Sequence, residues 1–201
     1  MNLTACGSLP TRPVTGTWYR ALQFQYMGAP LSASHTPAVA SRFSEGSNSL
    51  PPYELMYFAE THQVALFEVG AMVGSPIDPY GPLPHPRHSQ GIINVDVVLH
   101  SVVDLTEEAA QTTIDMTAQE LTGDWRYYSV RSIRASVHGP NGAAPTQALG
   151  AALFGLPGLE GFITISAKCP DQRVLAVFTE KLHPASRLTF THPGGLTYSI
   201  P

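Results

Sequence analysis

Seventeen glycines and eighteen prolines stand among 201 residues, and their placement limits what this chain can become. In GSPIDPYGPLPHPRHSQG (74–91), Pro76, Pro79, Pro82, Pro84 and Pro86 can neither continue a helix nor donate to a central ladder, so an irregular loop is expected there. LSASHTPAVASRFSEGSNSLPP (31–52) is also loop-rich, with SRF a candidate short strand. Regular signals lie between these breaks. GTWYRALQF (16–24), YELMYFAE (53–60), IINVDVVLHSVVDL (92–105), GFITISA, RVLAVF and SRLTFTH have strand composition or β-branched alternation. Helices are expected at about 61–72, in TEEAAQTTIDM with Thr106 as its N-cap, and in the Ala-rich APTQALGAALF. Strands and helices mix without regular βα alternation. That predicts a compact α+β domain, not a doubly wound sheet.

The 43% hydrophobic and 13% charged content is that of a globular chain, and the length suits one domain over residues 1–201. A net charge of −4 and a pI near 6.0 give no whole-chain attraction to nucleic acid or anionic membranes. Cys6 and Cys169 form neither a metal spacing nor a disulfide framework. The N-terminal MNLTACGSLPTRPV lacks the basic start and apolar run of a signal peptide, and no apolar run nears the roughly 20 residues of a membrane span. A cytoplasmic protein is expected.

Several constellations are absent. There is no G-x-S-x-G elbow and no G-x-x-x-x-G-K-[ST] phosphate loop, and GLPGLEG (155–161) has the wrong glycine spacing for a dinucleotide fingerprint. His85 and His88 sit in HPRH without H-E-x-x-H or a third ligand, and His35, His62 and His138 offer no spacing. No metal site is expected.

One carboxylate stands out instead. In ETHQVALFEVG (60–70), Glu68 is the only formally charged side chain between Glu60 and Asp78, and its expected helical neighbours are Val64, Ala65 and Met72. A carboxylate taken from water must shift its pKa, find donors, or face a wet pocket. Arg20 after Trp18 and Tyr19, Arg42 before Phe43, Tyr57 in a strand and Ser166 ending GFITIS are further polar residues in apolar settings. Each also has an ordinary structural role: a strand-end ion pair, a core tyrosine with its hydroxyl at the rim, a turn serine.

The order of these residues resembles the RES domain family, named for an arginine, a glutamate and a serine. WYRA, SRFS, LMYFAETHQVALFEV, SVVDLT, TGDW, TQALGAALF with GFITISA, and RVLAVF carry the likeness, within a core of about 17–192. The tyrosine strand followed by A-E and A-x-x-E-V (Tyr57, Ala59, Glu60, Ala65, Glu68, Val69) is the strongest match. Two departures are Ile165 where many members have proline, and Ser41 where glycine is usual.

The resemblance implies an ADP-ribosyltransferase-like single domain with a mixed, largely antiparallel β core and short flanking helices. It also implies the toxin of a toxin–antitoxin pair, neutralised by an Xre-type helix-turn-helix antitoxin. Such an enzyme consumes NAD+ as a substrate, with no separate cofactor, cleaving the nicotinamide–ribose bond with water or inorganic phosphate as acceptor. Charge developing on the ribose suits Glu68, and the guanidinium forks of Arg20 and Arg42 suit the pyrophosphate. Tyr57 is placed to stack on nicotinamide or orient the ribose, and Ser166 to offer a hydroxyl to phosphate or ribose. No histidine is placed to make Ser166 a nucleophile. The alternatives are a non-catalytic nucleotide- or protein-binding module and a protein ADP-ribosyltransferase. Glu60, at the junction of strand and helix, is expected to cap the helix or hold an arginine.

Overall fold

The computed structural model describes residues 1–76, 81–86, 89–126, 128, 143–169 and 171–201, so His88 and His138 lie outside it. Two long strands form its spine. β1 (Thr11–Gln23) and β5 (Gln90–Asp104) run antiparallel from Thr11 opposite Val103 to Gln23 opposite Gln90. β5 alternates as its sequence predicts, burying Ile93, Val95, Val97 and Leu99 between exposed partners.

At its far end β5 takes β6 (Gly161–Ile165) as a parallel neighbour, followed by antiparallel β7 (Arg173–Val177) and β2 (Met56–Ala59). β2 then meets β1 at Tyr19 opposite Ala59, which closes a ring of five strands. β8 (Arg187–Thr191) and β9 (Thr197–Ile200) extend the sheet from the middle of β5. One pairing is parallel and the others antiparallel, the mixed α+β arrangement expected from the sequence.

Two cores result. Val14, Trp18 and Leu22 of β1 pack with the buried residues of β5 and with Leu188 and Phe190. The second core holds Phe43, Tyr53, Phe162 and Phe178 against α2 (Glu108–Thr113), α3 (Ala118–Thr122) and α4 (Pro145–Phe154). Glu160 is fully buried just before β6. It accepts from the backbone N–H groups of His100 (2.6 Å), Ser101 (2.8 Å) and His183 (2.8 Å), and from the Ser186 hydroxyl. Burial pushes its pKa up, but these donors outweigh burial and hold it below the usual carboxylate value.

Several local expectations need correction. The helix expected at about 61–72 is α1 (His62–Glu68), which ends early because Gly70 adopts φ 71°. Ala71 N–H reaches back to Leu66 O and Gly70 N–H to Phe67 O, the closure that a left-handed glycine permits. Met72 is therefore no helical neighbour of Glu68; it begins the two-residue strand β3 (Met72–Val73), paired with β4 (Leu83–Pro84) across the proline-rich loop. Thr106 does not cap α2. Its N–H and hydroxyl both bind Asp104, and Glu107 takes the N-cap position. SRF forms only an isolated bridge between Ser41 and Ser44. Among the described residues no helix is long and apolar enough to cross a membrane.

Candidate active site

Glu68 closes α1. Thr61 caps the other end by accepting from Val64 N–H, and Val64, Ala65 and Phe67 seat the helix against Ala21, Ala59 and Val174. That packing leaves the Glu68 carboxylate at the cleft wall, its side chain 20% exposed. Its two oxygens find different partners. Arg42 Nη2 donates to Oε2 at 2.9 Å, and Ser166 Oγ donates to Oε1 at 2.5 Å. The direction of the serine bond is fixed by its other contacts. The backbone N–H groups of Lys168 and Cys169 donate to Ser166 Oγ at 3.2 and 3.0 Å, which leaves the hydroxyl proton for Glu68. Residue 166 is buried, so its hydroxyl serves the glutamate and not open space.

Arg42 is carried by a turn that is braced from three sides. Tyr57 OH shares a 2.9 Å hydrogen bond with Ser41 Oγ and accepts from Phe43 N–H at 3.3 Å. Tyr53 OH donates to Phe43 O at 2.5 Å. From α4, Gln147 Nε2 donates to Ser41 O at 3.0 Å and Ser44 O at 3.2 Å, while its Oε1 accepts from Ala144 N–H. Gly150 lets α4 lie directly on the turn, since a Cβ there would stand 1.9 Å from Phe43 O. Within this seat Arg42 Nη1 reaches Ile165 O at 3.4 Å, and its buried Nε has no partner among the described residues. Burial, together with the nearby Glu68 charge, pushes the Tyr57 phenol up to about 12 against the lowering effect of Ser41, Phe43 N–H and Arg42. It stays protonated at neutral pH.

Arg20 stands apart from this cluster. Its Nη1 donates to Pro30 O at 2.9 Å and Nη2 to Ser32 O at 3.4 Å, which ties the 30–32 loop to β1. Burial lowers its pKa to about 10, still leaving it cationic at neutral pH. Glu60 instead grips Arg173 through Nε and Nη2, and that pairing holds its pKa below the ordinary value.

These residues line or adjoin one cleft of about 570 Å³, within the size range of small-molecule sites. Arg20, Arg42, Tyr57 and Glu68 face it; Ser166 lies behind Glu68. Its charged lining holds four cations, Arg20, Arg42, Arg126 and Lys168, against the carboxylates of Glu68 and Asp124. A cationic cleft on a chain of net charge −4 favours an anionic ligand. Sequence reasoning singled out none of Trp125, Arg126 and Lys168. TGDW was visible only as a segment, and nothing local shows that it folds onto the same cleft as Glu68.

A family model described as the RES domain matches residues 17–197. No curated protein matches the chain. Among solved structures, a chain of the M. tuberculosis MbcT–MbcA toxin–antitoxin complex superposes with a TM-score of 0.62, over 98% of this chain and 91% of that one. At 16% identity the likeness is one of fold.

Proposed function

We propose a function from one premise: the chain belongs to the RES domain family. On that premise the cleft binds NAD+ and breaks its nicotinamide–ribose bond, and the protein is the toxin of a toxin–antitoxin pair. The observation that carries this reading is the Glu68 carboxylate at a cationic cleft, with each oxygen assigned to its own donor, Arg42 or Ser166.

The chemistry follows from that arrangement. Nicotinamide departs with the bonding pair as a neutral molecule, and the ribose carbon carries positive charge until an acceptor adds. Glu68 stabilises this charge and accepts from a ribose hydroxyl, contacts that strengthen as the bond breaks. Ser166 orients Glu68, and Tyr57 holds the turn of Arg42 while its ring edges the cleft. The cations at 20 and 42 serve the pyrophosphate. Water as acceptor yields ADP-ribose, and inorganic phosphate yields its 1-phosphate; both reactions need no further cofactor. The structural neighbour comes from a toxin–antitoxin complex, which supports an antitoxin partner. An Xre-type helix-turn-helix protein is the proposed class, with the cytoplasm as the proposed compartment.

Incubation of pure protein with NAD+ tests the proposal. Release of free nicotinamide without a protein acceptor is expected, and its dependence on added phosphate identifies the acceptor. No release would leave a nucleotide-binding module, and label transferred to protein would mark a protein ADP-ribosyltransferase. Expression alone should arrest growth and deplete NAD+, with co-expressed antitoxin restoring both.

A further inference from the structure

The Arg42–Glu68 cluster occupies one part of the cleft and leaves another without a role. Thr122, Gly123, Asp124, Trp125 and Arg126, at the C-terminal end of α3 and just beyond it, line the same space. Trp125 is half-buried, and the Arg126 guanidinium lies over one face of its ring, 5.8 Å from the centroid, so a base would take the other face. Asp124 accepts from Arg126 N–H at 3.0 Å, a turn that fixes this tryptophan–arginine pair at the cleft wall. Lys168 also lines the cleft, two residues from Ser166. The inner arginines, given to the pyrophosphate above, also hold partners within the fold, Arg20 two carbonyls and Arg42 the Glu68 carboxylate. Arg126 and Lys168 are exposed, and among the described residues neither head group is paired with a carboxylate.

A flat indole beside solvent-facing cations is the chemistry that receives a base and its phosphate. Aromatic rings stack on any base face, and guanidinium and ammonium groups take phosphate oxygens. We propose that Trp125 is the stacking platform for the adenine of the dinucleotide, with Arg126 and Lys168 holding the adjacent phosphate. The subsite rests on the NAD+ reading for its role in turnover. Its affinity for a purine mononucleotide does not depend on that reading. Trp125 then sets how well the enzyme distinguishes a dinucleotide from nicotinamide mononucleotide.

Two measurements test it on the full chain. Trp18 is interior at 7% exposure, so the second tryptophan, Trp125, supplies the ligand-sensitive fluorescence. Adenosine monophosphate should quench the emission of the native protein and leave that of Trp125→Phe unchanged. Trp125→Ala should raise KM for NAD+ about tenfold, the scale of one base–aromatic stack, and alter kcat/KM for nicotinamide mononucleotide far less. Trp125→Phe, which keeps a ring, should recover most of the NAD+ KM and shows that the loss is not one of folding. Quenching by adenosine monophosphate in a protein that releases no nicotinamide would uphold the subsite and sink the NAD+ reading. Normal NAD+ turnover with no quenching, or with an unaltered KM in Trp125→Ala, would overturn the subsite alone.

Discussion

Two buried-side carboxylates show how the same group is spent differently. Glu160 is closed off from solvent and receives four donors, all neutral and three of them backbone. Glu68 has one cation and one hydroxyl, and one side left to a cleft. The first is saturated and ties three chain segments together. The second keeps unused accepting capacity where a ligand can enter. Burial therefore does not mark a functional carboxylate; an unfilled side does.

Exchanging each carboxylate for its amide tests this contrast. The largest effect is expected for Glu68→Gln, which should fold normally and lose about 10²–10³-fold in kcat with KM less changed. Full activity would remove the catalytic assignment. Glu160→Gln should do the reverse, costing about 3 kcal/mol of stability in urea unfolding while kcat per folded molecule holds. The pH dependence of that loss carries a sign. The folded pKa of Glu160 lies below its unfolded value, so its stabilisation is complete above the ordinary value of 4.5 and fades as pH falls beneath it. The stability gap between native protein and variant should therefore narrow on acidification below about pH 4.5. A gap that widened would mean that the donors do not favour the anion.

Smaller effects sharpen the picture around Glu68. Ser166→Ala should lower kcat about tenfold with KM nearly constant, because the serine acts through the glutamate. A rise in KM that accounts for the whole loss would place the hydroxyl on substrate instead. Arg20→Lys keeps the charge and loses the fork, so KM for NAD+ should rise about fivefold and the NAD+-induced gain in Tm should shrink. An unchanged Tm gain would put the pyrophosphate elsewhere. Glu60→Gln should be mildest, within about 1 kcal/mol in stability and with kcat nearly native, since its pair with Arg173 is partly exposed.

Much of this was legible in the sequence for reasons that lie within short windows. β5, β6, β7 and α4 follow from aliphatic alternation and composition. Glu68 was visible because it is the sole charge in an apolar stretch. The missing parts are those that depend on distant residues. Ser166 meets Glu68 across 98 positions, and only two backbone N–H groups beside it decide that it donates. Glu160 drew no notice because its partners are mostly main-chain groups, which carry no side-chain signature. α3 and β9 are five and four residues long, too short for a period to show. α1 is shorter than the expected 61–72 because the apolar run continues past Gly70, whose left-handed backbone ends the helix.

Gly150 has a consequence for how this protein tolerates mutation. In most helix interiors glycine is a weakness, and alanine in its place stabilises by about 1 kcal/mol. Here one added carbon would strike the carbonyl of Phe43, so the usual repair becomes damage. The injury would pass to the next residue along, Arg42, whose fork meets the glutamate. A helix that supplies no reacting group is thus as unforgiving as the reaction centre. Inactivating substitutions should gather on its inner face as well as in the cleft, while its exposed position 151 drifts freely.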